Sequence, residues 1–415
     1  MYGTVRQQLK HLTKDEYLIL LDLCHTAKNL TNEALYNARQ YYFENHKCIP
    51  YNDNCKLLKN SDNFRILNAN VAQHIIKEVD LSFQSYFALL KLANQGLYPK
   101  EACQLPKYLS KDGLTTLVIA QIRIENNQLV FPYSYQYLRL HKRVQITIPT
   151  ILRDKHIHQI RIKPMYNGRF FEVHYIYEIE DEPKKLDNNK ALSLDLGVNN
   201  FVTAVTESGQ SFILDGRRLK SINQWYDKQF ARLQSINDKQ GVEGTTTQQD
   251  RLCYKHNRQV SDYVNKAVSY VINYCVHQNI GNVVLGYNSS FQQDSNMGSR
   301  NNQVFSKFPF GLFRHKLTHA CSVKGINLII QEESYTSKAS FFDTDEIPIF
   351  HENSCVTYKF SGRRVHRGLY KSSTGYTYNA DVNGALNILC KSNVVDLTIL
   401  YSRGAVDTPS RIRLA

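Results

Sequence analysis

The chain has 415 residues, too long for one ordinary core, so two or three domains are expected. Lys plus Arg number 51 against 37 Asp plus Glu, and the resulting +14 points to a polyanionic partner. No run approaches the ~18–20 apolar residues of a membrane-spanning helix, and the polar sequence after Met1 holds no apolar signal core, so an intracellular, cytoplasmic protein is expected. The nine cysteines are scattered and form no Cys-x-x-Cys pair, which argues against a disulfide framework and a zinc ribbon.

Along the chain, a short strand is expected over Gly3 to Leu9, followed by a helix over 14–45, which lacks Pro and Gly. A second helix over 68–95 carries Val71, Ile75, Val79, Phe83, Phe87 and Leu90 on one face. From Leu114 to Ile179 the pattern changes to period two, through Val118-Ile119, Ile122 to Ile124, Leu129 to Phe131, Val144 to Ile148, Ile160 to Ile162 and Phe170 to Ile179. Asn126-Asn127 suits a hairpin turn. These strands, over 101–182 with residues 1–10, are read as a small antiparallel barrel into which helices at 11–100 are inserted. The polar, Pro-containing stretch 183–190 reads as a linker.

Beyond it the pattern is mixed α/β. Strands are expected at Ala191 to Leu196, Asn200 to Thr206 and Ser211 to Leu214, then helices near 217–236 and 247–279. A strand at Asn282 to Leu285, a helix from Pro309 to Lys324, a strand at Ile326 to Ile330 and a helix from about Asp381 complete the order. That order, βββ-α-β-α-β-α, is the order of an RNase H fold. The sequence leaves open whether the tail 396–415 is ordered.

Three motifs carry acidic side chains to suggestive places. Asp195 lies inside the apolar strand Leu192-Ser-Leu-Asp-Leu-Gly197, where a buried charge needs a partner or a metal. Asp381, in Asn379-Ala-Asp-Val-Asn-Gly384, precedes a helix and could equally be its N-cap. Glu332-Glu333 follow the strand ending at Ile330 and could be surface charges. Together they suit metal-dependent phosphodiester hydrolysis, which needs carboxylates converging on ions ~3.5–4 Å apart. Mg²⁺ is the expected cofactor, as two ions, with Mn²⁺ as a substitute, because the donors are hard oxygens.

Asp-Leu-Gly-Val-Asn-Asn200, Glu-Ser-Tyr-Thr-Ser-Lys338 and Asn-Ala-Asp-Val-Asn-Gly384 together resemble the TnpB (OrfB) proteins of bacterial insertion sequences. The resemblance extends to Leu214-Asp-Gly-Arg-Arg-Leu-Lys220, Gly286-Tyr-Asn288, Ser361 to Tyr370 and Asp407 to Leu414. It implies a multidomain α+β protein: a wedge-like barrel with an inserted helical recognition domain, then an RNase H-like (RuvC) nuclease domain over 191–395. It further implies an RNA-guided DNA endonuclease related to type V CRISPR effectors and Fanzor proteins. The partners would be a guide RNA from the transposon end and double-stranded target DNA, cut beside a short adjacent motif. The family's first and third RuvC aspartates correspond to Asp195 and Asp381.

Two features depart from the commonest family pattern. The middle glutamate often ends the fourth nuclease strand, where this chain has Gly286. The role is therefore expected of Glu333 on the next strand, with Glu332 as the substitute, as in a subset of relatives. The segment 342–378, where many relatives carry two Cys-x-x-Cys pairs, holds only Cys355 beside His351 and His366, so no structural zinc is expected. Its Arg363, Arg364, His366, Arg367 and Lys371 suit phosphate contacts instead. Arg217, Arg218 and Lys220, and the helical face Arg251, Lys255 and Arg258, are further candidates for nucleic-acid contact. Trp225 and Tyr226 are expected to pack between helices rather than stack on bases. Two rival readings are a nuclease-inactive RNA-guided repressor and a guide-independent, structure-specific nuclease.

Overall fold

The computed structural model describes all residues except 180–182, 289–297, 350–357, 367 and 415, and the side chains of 299–301. The chain forms two compact units, Met1–Glu180 and Asp181–Ala415.

In the first unit, strand β1 (Tyr2–Gln8) leads into helices α1 (Lys14–Asn45), α2 (Tyr51–Leu58), α3 (Asp62–Ile66) and α4 (Ala69–Asn94). Thr13 and Glu16 close a capping box at the start of α1, satisfying donors that the first helical turn leaves unpaired. The apolar stripe Val71, Ile75, Val79 and Phe83 of α4 is buried. Then follow β2 (Leu117–Ile119), β3 (Ile124–Glu125), β4 (Gln128–Leu129), α5 (Tyr135–Leu140), β5 (Ile146–Thr147), β6 (Ile157–Met165) and β7 (Phe170–Glu178). Asn126 and Asn127 both take positive φ, 49° and 66°, as the tight turn between β3 and β4 requires.

The expected barrel is not closed among the described residues. The strands form two open sheets, β1-β7-β6-β2 and β3-β4-β5. Period-two patterning identifies strands but leaves closure undecided, because closure depends on which edges pair.

The second unit opens with the antiparallel meander β8 (Asp187–Leu196), β9 (Asn200–Thr206) and β10 (Ser211–Asp215). Helices α6 (Arg217–Lys239) and α7 (Thr247–His277), strand β11 (Ile280–Gly286), helices α8 (Ser299–Ser306) and α9 (Phe310–Lys324) and strand β12 (Asn327–Gln331) follow. Strands β13 (Arg363–His366), β14 (Leu369–Lys371) and β15 (Thr377–Asn379) make a small antiparallel sheet before α10 (Ala380–Ser392), α11 (Thr398–Arg403) and β16 (Ser410–Ile412). The main sheet runs β12-β11-β8-β9-β10-β16, with β11 parallel to β8 and β12 parallel to β11.

Strand alternation decides the layers. Leu192, Leu194 and Leu196 of β8 pack in one cluster with Val264, Val268 and Val271 of α7 and Phe313 and Leu317 of α9. The alternate residue Ala191 packs with Val382, Ala385 and Leu389 of α10, and Ser193 Oγ donates to the Ala385 carbonyl at 2.7 Å. Asp195 is next in that second series and so stands on the α10 face.

One expectation at the start of this unit is corrected. Residues 187–190, expected as linker, already belong to β8, and the Lys184 amide donates to the Lys324 carbonyl at 3.3 Å. The tail folds back onto the main sheet, where β16 adds in parallel to β10. Buried Asp215 fixes it by holding Arg411 at 3.4 Å. Among the described residues, no helix is long and apolar enough to cross a membrane.

Candidate active site

Asp195 lies one residue before the end of β8, half-buried. Gly384 lets α10 come close to it: a Cβ on that glycine would stand 3.0 Å from Asp195 Oδ2. Burial, then the nearby carboxylates of Glu333 and Asp381, hold its carboxyl well above the ordinary range, against the opposing pull of Arg364.

Asp381 sits in the first turn of α10 but does not cap it. Asn379 does so, its side-chain oxygen accepting from the amides of Asp381 and Val382 at 2.9 and 3.2 Å. The carboxylate of Asp381 is thus available for other partners. Here it accepts from Arg364 at 3.0 Å and from the side-chain amide of Asn200.

The two adjacent glutamates past β12 part company. Glu332 accepts from the Lys391 ammonium and from the Ser334 amide, which outweigh its burial and hold its carboxyl below the ordinary range. Glu333 turns the other way. Its amide donates to Asn288 at 3.1 Å, and Thr336 Oγ1 caps its carbonyl at 2.7 Å. Its Oε2 is sealed from solvent without a hydrogen-bond partner. Burial, then Glu332, push this carboxyl up to about 7. Below it lies Gly286, where a Cβ would come within 3.0 Å of Glu333 Oε2 and closer still to Ile388. Gly286 therefore makes the space that Glu333 occupies.

The structure thus brings Asp195, Glu333 and Asp381 to one end of the sheet. As they stand, no three Asp, Glu, His or Cys side chains among the described residues are gathered tightly enough to enclose an ion. Arg364 and Asn200 hold Asp381. The donor chemistry nonetheless suits a hard cation: burial, then the neighbouring carboxylates, raise Asp195, and a buried Glu333 oxygen is left unmatched.

The candidate nucleic-acid residues divide. Arg217 is held by Asp215 at 2.8 Å, Arg218 donates to the Leu414 carbonyl at 2.8 Å, and Lys220 reaches Asn199 at 3.4 Å. The two arginines thus tie the start of α6 to Asp215 and to the segment just past β16. Arg251, Lys255 and Arg258 are exposed on α7, and Arg363 is exposed on β13. Arg364 is on Asp381; Arg367, with His351 and Cys355, lies outside the described residues. Sequence reasoning assigned no role to Asn200 or Lys391. Asn200 stood in the quoted Asp195 motif, whereas nothing near Lys391 in sequence marks its partner Glu332.

A family model described as a probable transposase, OrfB_IS605, matches residues 174–292, and one for the Cas12f1-like TNB domain matches residues 310–388. The TnpB-like protein ORF457 of Acidianus two-tailed virus is 23% identical over 402 residues, covering 89% of this chain and 82% of its own. A solved Cas12f1–sgRNA–target DNA complex contains a similar fold, with TM-score 0.56 and 14% identity over 91% of this chain and 83% of that one. A mini RNA-guided endonuclease, CRISPR-Cas_phi3, aligns with TM-score 0.46 and 10% identity over 99% of this chain and 94% of that one. The architecture is the multidomain α+β arrangement of the TnpB/Cas12 type, and the two family models, the TnpB-like relative and the Cas12f1 fold together support a TnpB-family protein.

Proposed function

We propose that this chain is an RNA-guided DNA endonuclease of a bacterial transposon, cutting target DNA beside a short adjacent motif in one RuvC-type site. The observation that carries the reading is the unpartnered, buried Oε2 of Glu333, set beside Asp195 over Gly286. A buried carboxylate oxygen without a donor is expensive, and a bound cation removes that penalty.

Asp195, Glu333 and Asp381 would hold Mg²⁺, with Mn²⁺ as a substitute. When bound, the metal would activate water and stabilise charge on the scissile phosphate. The chain's own residues prepare that site. Gly286 and Gly384 admit the carboxylates, Lys391 removes Glu332 from competition, and Asn288 and Thr336 fix the backbone that aims Glu333. Asn200 and Arg364 orient Asp381.

Guide RNA and double-stranded target DNA are the proposed partners. Base pairing would supply sequence specificity, while the protein reads duplex shape and the adjacent motif. The first unit would supply the wedge (1–10 and 101–182) and the helical recognition segment (11–100). The +14 charge and the fold shared with a Cas12f1 chain solved with sgRNA and target DNA support those partners.

The test is purification from cells carrying the flanking element, sequencing of any RNA that accompanies the protein, and cleavage of a matched plasmid with Mg²⁺. A discrete RNA and guide-dependent cutting that Asp195→Ala abolishes are expected. Guided binding without cutting would establish the repressor; RNA-independent cutting of branched DNA would establish the structure-specific nuclease.

A further inference from the structure

Trp225, the single tryptophan, does not pack between helices as its composition suggests. It is 47% exposed on α6. The α6–α7 seam is made by its neighbour instead. The Tyr226 ring stacks on His256 with centroids 4.1 Å apart, and its hydroxyl meets Cys253. Asn237, Gln249 and Gln234 form a second, polar join further along. Trp225 is thus left over by the packing.

Its surroundings are cationic. Lys255 of α7 stands over the indole, 5.5 Å from the ring centroid. Along α6, Arg218 and Arg232 lie seven residues either side of Trp225 and Lys228 lies three beyond it, a spacing that puts all of them on the same helical face. Along α7, Arg251 and Arg258 flank Lys255 at four and three residues, and the basic side chains on both helices are exposed. Asp227, the acidic residue nearest in sequence, is taken up by Lys307 at 2.8 Å.

We infer that the outer α6–α7 face binds single-stranded nucleic acid, with an unpaired base stacked on Trp225 and the flanking Lys and Arg side chains on the adjoining phosphates. An aromatic face set among cations is the recurring chemistry of single-strand binding, because every base has a π-face and every linkage a negative charge. A base inside a duplex is already stacked on both sides, so the ring selects an unpaired one. The inference shares with the proposed function the expectation of a nucleic-acid partner and none of its nuclease chemistry.

The single tryptophan makes the test direct. The full chain, freed of co-purified nucleic acid by high salt, is titrated with oligothymidylate and with oligouridylate while tryptophan fluorescence alone is excited. Saturable quenching is expected, and the tighter of the two ligands tells displaced DNA from guide RNA as the source of the base. With labelled oligonucleotide, Trp225→Leu weakens binding about tenfold, the loss of one base stack, and Trp225→Phe recovers part of it. Both variants keep the parent's melting temperature, since the ring is not part of the core. Oligonucleotide binding with no change in Trp225 fluorescence would overturn the inference. So would a change that follows protein concentration without nucleic acid, which would mark a contact between copies of this chain. A chain that cuts guided DNA while Trp225 stays silent refutes this inference alone. Normal quenching without any cutting refutes the nuclease reading alone.

Discussion

Glu333 stands over Gly286, so close that a single added methyl group on the glycine would lie 3.0 Å from the carboxylate oxygen. The two residues belong to different segments, one ending β11 and the other just past the neighbouring parallel strand β12. The carboxylate and the space it needs are therefore a matched pair.

Gly286→Ala tests that pairing. The new Cβ would meet Ile388 and the Glu333 carboxylate together, and overpacking of this kind costs ~1–3 kcal/mol. We expect a lowered melting temperature and a larger loss of guided cleavage than the destabilisation accounts for. Cleavage at the parent's rate would show that Glu333 does not need its present position. In parallel, Glu333→Gln should abolish cleavage, whereas Glu332→Gln should leave most of it.

Metal-free stability should fall as pH rises. The Glu333 carboxyl titrates near 7 in the folded chain against an ordinary value of 4.5, and Asp195 is shifted in the same direction. Between those values the folded state binds more protons than the unfolded one, so stability decreases with pH across that window. Thermal melts in chelator from pH 4.5 to pH 7 should show the decline. Mn²⁺ should reverse it by binding the folded state, and Glu333→Gln should flatten it and raise the metal-free melting temperature at neutral pH.

Lys391 should position Glu333 through its neighbour. Its side chain is only 8% exposed and holds Glu332 together with the carbonyls of Ser334 and Pro348. Lys391→Met frees Glu332, whose carboxylate is 35% exposed and can return to water. The stability loss should therefore be about 1–2 kcal/mol, below that of a fully buried pair. Mn²⁺ affinity of the isolated protein, measured by calorimetry, should drop several-fold, and Lys391→Arg should recover part of it. Unchanged affinity would reduce Lys391 to a structural tie.

Acid should loosen the segment that stands where relatives carry zinc-binding cysteines. Asp343 accepts from Ser340 and from the Ser373 amide and hydroxyl, while Asp345 accepts from Ser340 and Ser361. Burial raises the Asp343 carboxyl, but these hydrogen bonds outweigh it and hold it below the ordinary 3.8. Its contribution is thus complete above that value and is lost as pH falls below it. Asp343→Asn should lower the melting temperature at neutral pH and make the remaining stability less acid-sensitive. Amide exchange over 340–345 and 361–373 would locate the change.

By itself the sequence determined the long helices, most of the long strands and the face on which Asp195 stands. Period-two alternation in β8 must set Asp195 opposite Leu194 and Leu196, and the Asn126-Asn127 pair can take the positive φ of a tight turn. It also named both aspartates and narrowed the third carboxylate to two adjacent residues. Only the tertiary structure separated those two, because past the end of β12 no periodicity governs direction. Lys391, nearly sixty residues away, claims one, and Gly286 makes room for the other. The same limit explains the remaining differences. The open sheets, the docked C-terminal strand, the surface ties of Arg217 to Asp215 and of Arg218 to the Leu414 carbonyl, and Trp225 turned outward all depend on how segments are placed in the fold, which local pattern does not carry.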